Sequence, residues 1–375
     1  MKRFFFALVF CCGMFTLLFA QQWPDTISCG PFKTGHIQGF AVDKQHQWVY
    51  YSYTTMLVKT DLQGNVIGTV KGLLGHLGCL AFNNADGRVY GSLEYKDDSI
   101  GKGILKMEKV DKQFENAFYI AIFDGEKITQ MDMDAEKDGI MKTVYLPTVL
   151  ADYLAEVDVN GKSFAHRLAC SGIDGVSFGP KFGKVNGKHY LTVAYGVYSD
   201  LQRTDNDYQV LQQYDISKWS VYEHPLSQNN LHRNGPQKPN GQYFVYTGNT
   251  NYGVQNLEYD EDLKGWWMAV YTGKKPLFPN YSLFLADGSR CVKENLKGIP
   301  YMKKGKVVPL KRQGKRDELT GIYGWHFPLG STGICALGEG FYYFSDNFSN
   351  KDGQGSVLRL FKYVGNEDVP FEAVK

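Results

Sequence analysis

An excess of one charge sign is the first thing this sequence lacks. Its 41 Lys and Arg stand against 39 Asp and Glu, a formal net charge of +2. So close a balance implies no nucleic-acid partner, because phosphate-backbone binding draws on a basic surface. Helical periodicity is also missing: no segment sustains apolar residues at the helical spacing. No linker splits the chain, which reads as one domain. There is no phosphate loop, no dinucleotide fingerprint, no H-E-x-x-H and no G-x-S-x-G, so the chemistries those motifs serve have no support here. No cysteine stands in a C-x-x-C spacing, which argues against a zinc site built of cysteines.

What is present is aromatic and turn-rich. Aromatic residues make up 15%, with 25 Tyr and 24 Phe, and there are 41 Gly. That mixture favours strands joined by many turns. The chain opens MKRFFFALVFCCGMFTLLFAQQ, with Lys2 and Arg3 ahead of an apolar run from Phe4 to Phe19 and Ala20 as a small residue for cleavage. This reads as a secretory signal peptide over 1–20, and places the mature protein outside the cell or in the periplasm with no membrane span. Of the seven cysteines, Cys11 and Cys12 fall in that leader; Cys29, Cys79, Cys170, Cys291 and Cys335 remain. The expected state is mostly buried thiols with at most one or two bridges.

A repeat runs through 21–375. GHIQGFAVD from Gly35, GHLGCLAFN from Gly75, EKITQMDMD from Glu126, SGIDGVSFG from Ser171, YGVQNLEYD from Tyr252 and GSTGICALG from Gly330 each read as a strand ending in a turn. A second apolar run follows each: WVYYSY, RVYGSL, KTVYLP, HYLTVAY, WWMAVY and FYYFSD. Further hairpins such as LVKTDLQGNVIGTV complete units of four strands. A four-stranded sheet alone cannot bury its faces; radial stacking buries each against the next. The expectation is therefore an all-β, six-bladed β-propeller of four-stranded antiparallel blades, with seven blades as the alternative. Insertions are expected near 227–240 and 297–316, and DTISCGPFK, ahead of Gly35, is the candidate outer strand closing the ring.

Aligning the six first strands gives an apolar column (Phe40, Leu80, Met131, Val176, Leu257, Cys335) and a small one suited to a crowded axis (Gly39, Cys79, Gly175). Asp132 and Glu258 interrupt the small columns. A carboxylate near the axis needs pairing, water or metal, so these two are the candidate tunnel ligands for a divalent ion such as Ca²⁺, with a hydrated tunnel as the ordinary alternative. His36 and His76 occupy one equivalent place, the loop entering the first strand. Neutral imidazoles there suit metal ligation or general-base work; bonding to a tight entry turn is the structural alternative. The tunnel mouth would be ringed by His36, His76, Gln38, Asp174 and Gln255. Loops after the second strands bring Tyr53, Glu94, Tyr95, Lys96, Tyr195, Tyr198 and Arg203 to the same face. Ring faces and fixed charges together suit a small polar molecule or glycan, and Glu94 beside Lys96 suits acid or base chemistry. The other histidines receive no role. The basic run from Lys303 to Arg316 reads as an exposed hairpin, a solvated edge or a dock for an acidic polymer or protein partner.

As a strand pattern, the repeats resemble the six-bladed propeller superfold, including its NHL-type and lactonase or strictosidine-synthase-like groups, and uncharacterised secreted bacterial propeller proteins. That resemblance implies Ca²⁺ held by Glu, Asn and Asp at the inner blade ends. Here the comparable positions are mixed, with histidines in two blades, so no activity carries over. Three functions follow from the residues: a secreted propeller binding a small polar or carbohydrate ligand at the mouth; a metal-assisted lactonase or hydrolase, or a glycan lyase, using His36, His76 and Glu94; or a protein-interaction scaffold.

Overall fold

The computed structural model describes residues 23–374, so the expected signal peptide lies outside it. Runs such as WVYYSY and GWWMAV are apolar at consecutive positions, not alternate ones. In a strand, neighbouring side chains point to opposite faces, so such a run demands a sheet covered on both sides. The fold meets that demand with antiparallel sheets arranged as the blades of a β-propeller.

The innermost strands are Ile37–Asp43, His76–Asn83, Cys170–Pro180, Thr250–Asp260 and Ile334–Gly338. Each touches the next, and the last returns to the first, so they form a closed ring. Outward from them, the first blade adds Trp48–Tyr53, Met56–Asp61 and Val66–Lys71. The second adds Arg88–Tyr95, Ala117–Phe123 and Met141–Tyr145. The third adds His189–Val197, Tyr208–Tyr214 and Gly241–Tyr246, and the fourth adds Gly265–Thr272 and Leu283–Asp287. In the fifth, Phe341–Asn350 and Gly353–Tyr363 are followed by Thr26–Phe32 from the start of the described chain. The segment anticipated to close the ring does so, by antiparallel pairing of Thr26 to Arg359 and Cys29 to Ser356.

The core lies between blades. Tyr50 packs toward the second blade with Leu80, Val89 and Phe123. Its neighbour Tyr51 packs with Ile27, Phe40, Cys335 and Leu358. Trp266 and Trp267 divide in the same way: the first joins Tyr243, Leu257 and Tyr259, the second Leu285, Tyr342 and Phe344. Burying a Val or Leu fully, as at Val49 or Leu57, contributes roughly 1.5–3 kcal/mol, and both are 0% exposed.

Among the described residues the ring has five blades, where the repeat count anticipates six. The difference is local. AFYIAIF, Ala117–Phe123, is buried along its whole length and pairs between Arg88–Tyr95 and Met141–Tyr145. The run containing KTVYLP thus supplies the outer strand of the second blade. EKITQMDMD becomes the connection between them, starting in a 3₁₀ turn at Gly125–Lys127 and laying Met133–Asp134 alongside Val70–Lys71. Met131, read as a core position, is 49% exposed. LAEVDVNGKSFAHRL forms a separate hairpin of Glu156–Val159 and Lys162–Ala165. In the basic run, Lys304–Val307 extends the third blade by parallel pairing with Gly241–Tyr246. Lys311 lies 3.7 Å from Asp287, and Arg316 pairs with Glu318. No described helix is long and apolar enough to cross a membrane.

Candidate functional site

Antiparallel pairing places the start of each inner strand beside the end of the next strand out: Ile37 faces Tyr53, His76 faces Glu94, Ile173 faces Tyr195 and Asn251 faces Tyr271. These ends gather at one mouth of the ring. Between the second and third blades it holds a buried ion pair. Glu94, 2% exposed, takes Lys96 Nζ on Oε2 at 2.9 Å and accepts from the Ile173 backbone N–H, in the next blade, on Oε1. Lys96 Nζ also donates to the Ser171 carbonyl at 3.0 Å and lies 3.7 Å from Asp98. The carboxylate reaches across only because Gly172 has no side chain: a Cβ there would stand 2.0 Å from Glu94 Oε1, and its φ of +133° is one that glycine tolerates. Burial pushes the Glu94 carboxyl up against the pull of Lys96. Burial also works against the Lys96 charge, yet Glu94, Asp98 and Asp174 together hold its ammonium above the ordinary range.

Asp174 is the next group inward. Its Oδ2 accepts from Gln255 Nε2 at 3.1 Å, and Gln255 donates in turn to the Tyr252 carbonyl at 2.9 Å. Burial and the negative charge of Glu94 raise its carboxyl to about 7. His76 is half-buried at the same mouth. Burial, Lys96 and His36 lower its pKa to about 3, so it is a neutral imidazole through the physiological range. His36 stands exposed at the rim. Its Nε2 lies 3.0 Å from Gln38 Nε2, an amide that donates to Thr54 Oγ1 at 3.3 Å. A protonatable acid and a neutral imidazole, each within the field of Lys96, therefore stand at one mouth.

The structure thus brings together His36, Gln38, His76, Glu94, Lys96, Asp174 and Gln255. Four other candidates lie elsewhere. Tyr53 is fully buried and donates to the Cys29 carbonyl at 3.3 Å. Tyr95 is buried against Tyr119 and donates to Gln228 Oε1 at 2.9 Å. Tyr195 donates to Asp152 Oδ2 at 2.6 Å inside the third blade. Arg203, 3% exposed, pairs with Asp205 at 2.8 Å and holds the Ala165 and His166 carbonyls at 2.6 and 2.7 Å. The three tyrosines sit at strand ends but point into blade cores, and Arg203, in the loop after His189–Val197, turns onto the end of the separate hairpin; a buried phenol or guanidinium needs such a partner.

Some groups at the mouth were not anticipated. Tyr252, 45% exposed and at φ +63°, meets Tyr271 edge-on at 6.4 Å beside Asp174. Across the mouth, His166 packs between Tyr153 at 4.5 Å and Tyr198 at 5.0 Å, within the field of Lys96 and Asp98. Tyr198 was the one legible member; Tyr252 sits in a turn and His166 follows an unforeseen hairpin.

The two tunnel carboxylates part company. Asp132 lies in the connection outside the first blade, 62% exposed and 2.6 Å from Lys71. Its assignment to the axis rested on the displaced third repeat and does not hold. Glu258 does face the axis, with Oε1 taking the Ala336 N–H at 2.9 Å and Oε2 the Ser177 hydroxyl at 3.3 Å. Among the described residues, no three His, Cys, Asp or Glu side chains converge as a metal site. Between Glu258 and the mouth the axis is closed by Asn256, 1% exposed. Its amide donates to the Gln38 carbonyl at 3.2 Å and the Ser331 carbonyl at 3.1 Å, and its oxygen lies 3.3 Å from Cys79 Sγ.

Fold and mouth define a β-propeller protein with a buried charged cluster and partly exposed tyrosines at one end of its ring. No family model matches the sequence, and no curated protein matches it. Solved structures similar to it include that of U3-55K, at 9% identity and a TM-score of 0.38 over 94% of this chain and 84% of the other. Another is the luciferin-regenerating enzyme, at 12% identity and a TM-score of 0.33 over 92% of this chain and 100% of the other. A third is the computationally designed Ika4 protein, at 12% identity and a TM-score of 0.23 over 68% and 95%.

Proposed function

We propose that this is a secreted propeller that binds a small polyhydroxylated ligand, a carbohydrate in class, at the mouth lined by His76, Glu94, Lys96 and Asp174. The observation that carries this reading is the pairing of fixed, buried charges with exposed ring faces. The buried Glu94–Lys96 pair fixes the mouth, the partly buried Asp174, Gln255 and His76 supply oriented donors and acceptors, and Tyr252 with Tyr271 supplies apolar surface for a sugar face. A glycan array screened with the purified mature chain, followed by calorimetry on each hit, tests it. Binding is expected to fall about tenfold or more in Asp174→Asn and in His76→Ala, in line with the loss of one hydrogen bond to the ligand in each. Binding unchanged in both variants, or no glycan bound, contradicts it.

A second reading is favoured by one specific feature: burial and the charge of Glu94 raise the Asp174 carboxyl to about 7, while burial keeps the His76 imidazole neutral. A carboxyl raised to about 7 suits general-acid work on a glycan, while the neutral His76 imidazole offers a hydrogen bond rather than a strong base. The test is to incubate each bound glycan with the protein and assay for new reducing ends. Turnover abolished in Asp174→Asn supports catalysis; binding without turnover leaves the protein a receptor.

A further inference from the structure

The near-balance of charge over the whole chain conceals a basic pole. Residues 288–316 hold ten of the 41 basic side chains and only one of the 39 acidic ones. Outside that segment, therefore, acids outnumber bases. The segment wraps the outer side of the ring between the third and fourth blades, along a groove of about 910 Å³. We propose that this groove is a binding site, separate from the mouth, for an acidic polysaccharide: a sugar chain that carries carboxylates, as uronic acids do.

The groove is long and its walls are fixed. At one end Asp287 and Arg290 stand at the turn after Leu283–Asp287, level with Gly265 and away from the mouth. At the other, Tyr246 ends the strand Gly241–Tyr246, opposite Tyr208 on the mouth side. Val308 and Ile322, 0% and 2% exposed, root it in the core between the two blades. The loop that carries Lys311 to Tyr323 is tied down along its length. Leu310 bridges to Ala286 and Trp325 to Leu283, while Lys315–Arg316 pairs with Tyr323–Gly324. Asp317 Oδ2 takes the Thr320 N–H at 2.8 Å and the Thr320 hydroxyl at 2.6 Å. A loop so held loses little freedom when a ligand binds it.

The lining decides the ligand. Four cations, Arg290, Lys311, Arg312 and Arg316, face one carboxylate, Asp287. A groove with that excess and low-dielectric walls concentrates anions. Lys311 lies 3.7 Å from Asp287, and Arg316 pairs with Glu318. Arg290 and Arg312 are exposed and have no carboxylate partner among the described residues. A guanidinium takes a carboxylate through two parallel N–H bonds. Two half-buried rings, Tyr246 and Tyr323, line the same groove and offer faces on which a sugar can lie. An open strand edge is what the groove does not offer. Lys304–Val307 is paired on one side by Gly241–Tyr246 and on the other by Val292–Asn295, and Leu283–Asp287 is bridged by Leu310 and Trp325. An acidic peptide therefore finds no edge to join as an added strand. Recognition falls to side chains, and cations interleaved with rings along a groove match an acidic sugar chain.

Isothermal calorimetry on the purified protein at low salt tests this, with oligogalacturonate, a neutral dextran, poly-glutamate and a DNA duplex as probes. Oligogalacturonate is expected to bind, and to weaken as salt is added. Dextran is expected not to bind, and poly-glutamate and DNA to bind about tenfold more weakly or worse. Arg290→Gln with Arg312→Gln, at two exposed positions, is expected to weaken oligogalacturonate by about tenfold or more. Tyr323→Leu keeps the bulk of the side chain but not its ring face, and is expected to weaken it severalfold. Lys102→Gln with Lys106→Gln removes the same charge from the helix Ser99–Met107, in the second blade, and is expected to leave the affinity unchanged. Asp174→Asn at the mouth is expected to leave it unchanged too, which separates this groove from the glycan reading of the mouth. The proposal is overturned by any of four results: no binding of oligogalacturonate, equal or tighter binding of poly-glutamate or DNA, no loss in the double arginine variant, or an equal loss in the lysine or Asp174 variants.

Discussion

Asp174 and Glu258 are carboxyls whose native environment disfavours their charge. Each is raised to about 7 by burial, from ordinary values of 3.8 and 4.5. The linkage has a definite sign. An acid whose folded pKa exceeds its unfolded pKa contributes its stability fully below the unfolded value and loses it as pH rises through the folded value. Stability should therefore decline between about pH 4 and pH 7 on account of these two groups. Asp174→Asn removes one of them and is expected to raise stability at pH 8 by on the order of 2 kcal/mol, the full shift being discounted for its coupling to Lys96. Urea titrations at pH 5 and pH 8 check this: the gain should appear at pH 8 and shrink at pH 5. The Glu94–Lys96 pair behaves in the opposite manner. Lys96→Met leaves two buried carboxylates without their cation and is expected to cost about 3–5 kcal/mol, while Glu94→Gln with Lys96→Met together should recover much of that loss. A double-mutant cycle by thermal unfolding reads the difference; simple additivity would mean that the pair is not coupled. These residues were legible because acidic and basic side chains at strand ends have few places to go except a mouth. Tyr53, Tyr95 and Tyr195 were misread at the same strand ends because a tyrosine sits equally well in a blade core with its hydroxyl bonded.

Among elements, the strand Thr26–Phe32 holds the ring shut. It covers the outer edge of Gly353–Tyr363 and places Ile27 and Cys29, each 1% exposed, into the interface between the fifth and first blades. Ile27→Ala is expected to cost about 2–5 kcal/mol, and deletion of residues 23–32 to abolish cooperative unfolding, since it strips both the edge pairing and that interface. Thermal melts followed by near-ultraviolet circular dichroism check both; a deletion variant melting like the full chain would deny the closure. This role was readable from DTISCGPFK, whose alternating pattern suits an edge and whose position before the first repeat leaves it unpaired. The number of blades was not readable to the same degree. EKITQMDMD imitates an inner strand in its spacing of apolar residues, and only the competing claim of AFYIAIF, which requires cover on both faces, decides which segment enters the sheet.

At the scale of the whole molecule, the ring buries what the chain would otherwise expose, and the thiols show it. Cys29, Cys79, Cys170 and Cys335 are buried, burial raises their pKa, and all five described cysteines are unpaired. Only Cys291 is partly exposed. A thiol reagent should therefore modify one of these five rapidly in the native protein and all five after unfolding. Two or more fast-reacting native thiols would indicate a looser ring. The same closure draws residues 36, 76, 94 and 174 to one place across three blades, and both functional readings of the mouth depend on it. The most direct test is a pH titration of the His76 ring and the Asp174 carboxyl by NMR, in the wild type and in Glu94→Gln. The account predicts a His76 ring neutral down to about pH 4 and an Asp174 midpoint near 7 that moves down when Glu94 loses its charge. A His76 midpoint near its ordinary 6.5, with Asp174 ionised by about pH 5 and indifferent to Glu94, would contradict it.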